Sequence, residues 1–157
     1  MAKKKKPKQP KQPKKKKLSK LAKAKLDSNS KLWRNKADKL WSELVRRGGK
    51  CEVCGREEFL DAHHLLDRFR YKHFRHILAN GICLCKSCHK HGTMSFHKSS
   101  IWAGYWLETN KPEQYKWVVE HFAITEHSFD YKLAYEQLLN FAQQNNFLPK
   151  DEKKSTS

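Results

Sequence analysis

From residue 28 to residue 49 apolar side chains recur at helical spacing. Leu32, Trp33, Ala37, Leu40, Trp41, Leu44 and Val45 share one face, Ser28 or Ser30 stands where a cap belongs, and Gly48-Gly49 is the stop. The spacing predicts an amphipathic helix whose other face, with Lys31, Arg34, Lys39, Arg46 and Arg47, suits a phosphate track or an ordinary solvated surface equally well. The pattern then shortens: Phe59 to Leu66 reads as a strand, Asn80-Gly81 as a turn, Ile82 to Cys85 as a second strand, and Cys85 to His91 as a short helix ended by Gly92. Between the strands, residues 67–79 are basic and aromatic and predict a long loop with room for a helical turn. Loops of that length inside a small domain usually serve a function.

Beyond residue 98 helical spacing returns. Ile101, Trp102, Tyr105 and Trp106 fall on one face, Pro112 opens a helix carrying Tyr115, Trp117, Val118, Val119 and Phe122, and Ser128 is placed to cap a third with Tyr131, Leu133, Ala134, Leu138, Leu139 and Phe141. These aromatic faces read as core rather than as platforms for bases. The fold class expected is α+β: a small strand–strand–helix core over residues 50–98, the basic helix of 28–49 before it, helical support over 99–148, and polar ends at 1–27 and 149–157.

Charge adds a partner. The chain carries a formal +18, and residues 1–25 hold 13 lysines with no acidic residue, so most of that excess lies in the first sixth of the sequence. Lys14, Lys15, Lys16 and Lys17 are one of its two runs of four, and Pro7, Pro10 and Pro13 oppose folding, so residues 1–27 are expected to be disordered. Lysines set against phosphates release counterions, which gives salt-sensitive, sequence-independent affinity for DNA. Nuclear localisation is the rival use of the same residues. No apolar run is long enough for a bilayer and no hydrophobic signal core is present, so the expected setting is cytoplasmic, without membrane contact. Nothing in the sequence sets an oligomeric state.

Chemistry concentrates between Cys51 and His97. Cys51, Cys54, Cys85 and Cys88 form two Cys-x-x-Cys pairs, the pattern of tetrahedral structural Zn2+, with Gly55 relieving the turn after the first pair. Thirty residues separate the pairs, more than in simple zinc ribbons, so something is enclosed between them. Cys83 is left over and is expected to be a buried free thiol. The enclosed stretch holds His63-His64 and Asn80, and His89 directly follows the last cysteine.

The series His64, Asn80, His89, with Asn80-x4-Cys85-x2-Cys88-His89, resembles the zinc-framed HNH endonucleases of the ββα-metal fold. The resemblance covers about residues 50–97. More loosely, the lysine-rich start, framed centre and helical end look like phage recombination nucleases of the NinG kind, which implies a bacterial host cytoplasm. The resemblance implies a metal-dependent DNA endonuclease leaving 5′-phosphate and 3′-hydroxyl ends. It assigns His64 as the base that activates water and Asn80 as the residue that ties the connecting loop to the first strand and orients that base through its amide. It also places a divalent cation, Mg2+ or Mn2+, on His63 and His89.

Two expectations accompany that assignment. Neighbouring strand residues point to opposite faces, so paired roles for His63 and His64 require a local twist or bulge. A helical ligand four residues beyond His89 would be Thr93, so the third position is open to His97 or to a water, with Asp61 in reserve, and His97 suits a substrate phosphate or simple packing equally well. Arg68, Arg70, Lys72 and Arg75 are expected to meet phosphate; His73, His76 and His91 are expected to face phosphate or solvent. The competing reading is a non-catalytic zinc-knuckle protein that binds DNA or RNA. It has no reason to place His63, His64, Asn80 and His89 in register.

Overall fold

A computed structural model describes residues 19–124 and 128–147. Lys14 to Lys17 and His127 lie outside the described residues. The expected disorder of residues 1–27 does not hold at its end, because Ser19 caps helix α1, Lys20–Leu26. α1 buries no residue, consistent with apolar positions too sparse to form a face.

Helix α2, Lys31–Val45, buries Ala37, Leu40, Trp41 and Leu44, the stripe expected from periodicity. Strands β1, Leu60–His64, and β2, Gly81–Cys85, pair antiparallel in a two-stranded sheet, residue for residue from Leu60 opposite Cys85 to His64 opposite Gly81. Every residue of β2 is buried. A strand covered on both faces needs a continuous apolar run rather than alternation, which is what Ile82 to Cys85 supplies.

Two apolar clusters provide that cover. Ile82, Leu84, Cys51, Cys85 and Phe96 pack with Ala103 and Leu107 of helix α3, Ser100–Asn110, and with Tyr115 and Val118 of helix α4, Pro112–His121. Leu40, Trp41 and Leu44 pack with Leu138 and Ala142 of helix α5, Tyr131–Gln144. α5 is capped by Asp130, whose carboxylate accepts from the Leu133 N–H, and not by Ser128 as expected. The stripe assigned to α3 is also split: Trp102 and Trp106 pack on Phe96, but Ile101 is 87% and Tyr105 67% exposed.

The loop between the strands contains two 3-10 turns, Lys72–Phe74 and Leu78–Asn80. Gly81 belongs to the strand, and its lack of a side chain matters for packing: a Cβ there would lie 2.4 Å from Val45 Cγ2 and 2.8 Å from Trp41 Cζ2. Glycine therefore lets α2 press onto the end of the sheet.

Arg75 and His76, expected to face phosphate or solvent, are instead buried at 6% and 7% exposure. Both of their side chains bond to Asp38 of α2: Arg75 Nε and Nη2 lie 2.7 Å from its two carboxylate oxygens and His76 Nε2 lies 2.8 Å from Oδ1. Burial raises the Asp38 pKa, but the bonds from His76 and Arg75 outweigh it and hold the carboxyl well below the usual range. The stabilisation from Asp38 is therefore complete above the ordinary carboxylate pKa of about 4 and is lost as pH falls below it. Asp38→Ala should lower stability by roughly 2–3 kcal/mol, less than the ~3–5 of a fully buried pair because Asp38 is partly exposed, and urea melts at pH 7 check it.

Candidate functional site

The four cysteines of the two pairs converge. Their sulfurs all lie within 4.8 Å of one another, and Cys54 Sγ and Cys85 Sγ are 3.7 Å apart. A tetrahedron with metal–sulfur bonds of ~2.3 Å has edges of ~3.8 Å, so the group can hold a metal ion. Local backbone builds each half. The Gly55 N–H closes a turn on the Cys51 carbonyl at 2.8 Å, with Gly55 at φ +74°, where a side chain would be strained. Burial raises the Cys85 thiol, but bonds from the Cys88 N–H and the neighbouring thiols of Cys54, Cys88 and Cys51 bring it down to about 7. Cys83 is outside the group, buried, and pushed up to about 11 mainly by burial and by the Glu52 carboxylate, which suits an inert thiol.

A second convergence lies beside the first. Nitrogens of His63, His89 and His97 also lie within 4.8 Å of one another, with His89 Nε2 and His97 Nε2 3.2 Å apart. Metal–nitrogen bonds of ~2.1 Å put adjacent ligand atoms ~3.0–3.4 Å apart, so this set too can hold an ion. His63 comes from β1, and His89 from a π-helical segment, Ser87–His91. His97 arrives because Gly92 leaves the helix in extended conformation and the chain turns back, the Phe96 and His97 N–H groups donating to the carbonyls of Cys88 and His89. The chain reversal does what a helical ligand at position 93 would have done.

Asp61 is not in the group. Two residues before His63 on the same strand face, its carboxylate accepts from His89 Nδ1–H at 3.0 Å. That bond fixes the tautomer and leaves the His89 Nε2 lone pair for a metal. Burial, and then the neighbouring His89 and His97, push His63 down to about 3, and His97 is lowered by burial and by His89. Both are neutral at pH 7, the form that ligates.

His64 has a separate setting. Its ring stacks on Trp41 of α2, centroids 3.8 Å apart at 12°, and Trp41 is itself held by Nε1–H donation to the Ile77 carbonyl at 3.0 Å. His64 Nε2 lies 2.9 Å from the Arg75 carbonyl. A carbonyl only accepts, so Nε2 carries the proton and the lone pair is on Nδ1. Burial lowers the His64 pKa to about 4, against the raising effect of the Arg75 carbonyl, and the ring is neutral at pH 7.

Asn80 is fully buried. Its Nδ2 donates to the carbonyls of Leu66 and Phe74 at 3.2 and 3.1 Å, and its Oδ1 accepts from the Leu66 N–H at 2.7 Å. The amide thus clamps both ends of the loop, next to the Arg75 carbonyl that His64 uses. The Asn80 amide is bonded to loop backbone and not to the His64 ring, so it does not orient that ring directly as expected.

The expected bulge at His63-His64 is absent: pairing is regular to His64. His63 faces Phe96 and the other ligand-type histidines, and His64 faces α2. Both still border one cavity of about 420 Å³, because it wraps the outer edge of β1. Its wall also includes His89, His97 and Phe69, the cations Arg46, Arg68 and Lys90, and the carboxylates of Asp61 and Asp67.

Of the basic loop residues only Arg68 lines this cavity. Arg70 and Lys72 are exposed but elsewhere, Lys72 over the Phe129 ring, and Arg75 is committed to Asp38. Sequence reasoning missed the role of Trp41, read only as helix periodicity, and did not single out Asp38 or Lys90, whose one sequence signal is its place next to His89. Among the described residues no helix is long and apolar enough to cross a membrane. Comparison with family models, with curated proteins and with solved structures finds no match for this chain.

Proposed function

We propose that the protein is a metal-dependent DNA endonuclease of the HNH type, in which the β1–β2–helix core is a ββα-metal centre framed by a structural Zn2+ on Cys51, Cys54, Cys85 and Cys88. One observation carries the reading: a neutral histidine with a fixed tautomer, His64, borders the same basic cavity as a three-histidine group able to hold a second ion. A protein that only binds nucleic acid has no use for that juxtaposition.

In this reading the scissile phosphate enters the cavity between Arg46, Arg68 and Lys90. His64 Nδ1 accepts a proton from water; the water oxygen forms a bond to phosphorus and the bond from phosphorus to the 3′ oxygen breaks, leaving 5′-phosphate and 3′-hydroxyl ends. The Arg75 carbonyl keeps the imidazole proton on Nε2, and the Trp41 ring keeps water off one face of the base. A divalent ion held by His63, His89 and His97 would supply charge neutralisation at the phosphate and the leaving oxygen.

Mg2+ and Mn2+ prefer oxygen and would take much of their shell from water and phosphate, whereas imidazoles favour borderline ions such as Ni2+ and Zn2+. The test is nicking of supercoiled plasmid across Mg2+, Mn2+, Ni2+ and Zn2+. Nicking that requires one of these ions is the expected result, and no cleavage of plasmid or of single-stranded DNA with any of them overturns the reading. The lysine-rich start would hold DNA nonspecifically near the site.

A further inference from the structure

Among the exposed large hydrophobic side chains of the described residues, Phe69 is the one that lines the cavity of His64. It is 65% exposed. The loop around it is held by hydrogen bonds. The Asp67 carboxylate accepts from the N–H groups of Phe69 and Arg70 at 2.9 and 2.8 Å, and the Asp67 carbonyl accepts from Tyr71 N–H at 2.8 Å. Tyr71 is buried, and its hydroxyl donates to the Phe122 carbonyl at 2.7 Å. The crown of the turn is therefore pinned on both sides, and an apolar ring is held out at the edge of a cationic cavity.

Two guanidinium groups attend the ring. Arg75, fixed by Asp38, has its guanidinium carbon 5.7 Å from the ring centroid and supports it from the buried side. Arg68, at 5.0 Å, is exposed and also lines the cavity. A rigid aromatic with a cation at hand, beside a site for phosphate, has the composition of a stacking platform for nucleic acid bases.

We propose that Phe69 stacks on an unpaired base next to the phosphate that is cut, so that the preferred substrate is DNA that is single-stranded at the site of cleavage. The proposal rests on the nuclease reading for the word "cut", but the stacking itself does not. In a duplex both faces of each base are covered by neighbours, and Phe69 could reach one only by unstacking the helix. A single strand offers the face at little cost.

The experiment has two arms. In a His64→Ala background, a single-stranded oligonucleotide with one 2-aminopurine is titrated with protein and its fluorescence followed. Quenching on binding is expected; it should disappear when Phe69→Ala is added and persist with Phe69→Trp. In the second arm, kcat/KM is measured for single-stranded and duplex DNA. The single-strand to duplex ratio should fall about tenfold in Phe69→Ala, and Phe69→Trp should retain it.

Phe69→Leu separates stacking from bulk: it should behave as alanine does. An unchanged ratio in Phe69→Ala, quenching that survives loss of the ring, or a leucine variant equal to wild type each overturns the proposal. If the wild-type protein cleaves no DNA, the nuclease reading fails while the fluorescence arm still decides whether Phe69 stacks.

Discussion

Replacing His64 by alanine is expected to lower plasmid nicking by about 10²–10⁴-fold, the usual contribution of a positioned general base, while DNA affinity stays at the wild-type level. Affinity should survive because the cationic groups of the cavity, Arg46, Arg68 and Lys90, are untouched. The fold should survive as well. The substitution removes one hydrogen bond to the Arg75 carbonyl and the stack on Trp41, a loss of roughly 1–2 kcal/mol, whereas the ion pair of Arg75 and the clamp made by Asn80 remain. Nicking gels, filter binding and a thermal melt on the same preparation separate these effects. Undiminished nicking would remove His64 from the role of base, and lost binding would make it a phosphate contact.

The pH profile sharpens the same test. With its pKa held near 4 by burial, His64 is already neutral at pH 6, where an unperturbed histidine would be mostly protonated. Lowering the pH from 7 to 6 should therefore cause no loss of nicking through His64 itself.

The parts of this site that were legible in the sequence are those that chemistry demands at fixed spacing. Two cysteines at x2 spacing can reach one ion through a single tight turn, and Gly55 marks the turn, so both halves of the frame were predictable from local residues alone. His97 was a weaker inference, because its approach depends on a chain reversal after Gly92 that brings position 97 back to the carbonyl of position 89. The supports of His64 were not legible. Trp41 and Asp38 lie on α2, and their roles depend on which residues of a distant loop the helix meets. Trp41 looks like one more apolar position and Asp38 like one more polar one until Ile77, Arg75 and His76 are placed against them. Arg75 illustrates the same limit: sequence proximity to Arg68 and Arg70 suggested a shared surface, but the side chain turns inward to a carboxylate 37 positions earlier.

Gly81 carries a related lesson. Asn80-Gly81 is a turn signal, and a 3-10 turn does end at Asn80, yet the turn alone does not account for either residue. Asn80 is buried with its amide fully engaged, and Gly81 is a strand residue opposite His64 on which Trp41 and Val45 rest. The dipeptide thus shapes the surroundings of His64 from two directions, through the loop backbone and through the fit of α2.

Removing one thiolate of the frame, as in Cys85→Ala, is expected to unfold the core and not merely to weaken it. Cys51 and Cys85 belong to the buried cluster that also holds Ile82, Leu84, Phe96, Ala103 and Leu107, and Cys88 lies in the segment that presents His89. A structural zinc contributes ~10–16 kcal/mol of apparent binding free energy in small zinc domains, as much as or more than the ~5–15 kcal/mol that a domain of this size has in total. Loss of the ion should therefore dissolve the link between the first knuckle and β2, and with it the meeting of His63, His89 and His97. Cys83→Ala is the control. Cys83 is equally buried and lies two residues away on the same strand, but it is outside the four-sulfur group, so its loss should cost only about 1 kcal/mol. Metal content by elemental analysis, circular dichroism and urea melts on the two variants give the comparison. The expected result is a folded, zinc-loaded Cys83→Ala protein and an unfolded Cys85→Ala protein that lacks the structural ion. A Cys85→Ala protein that folds and holds as much zinc as wild type would show that the four sulfurs meet for packing and not for metal, since side chains that only fill space can be replaced by a smaller one without losing an ion.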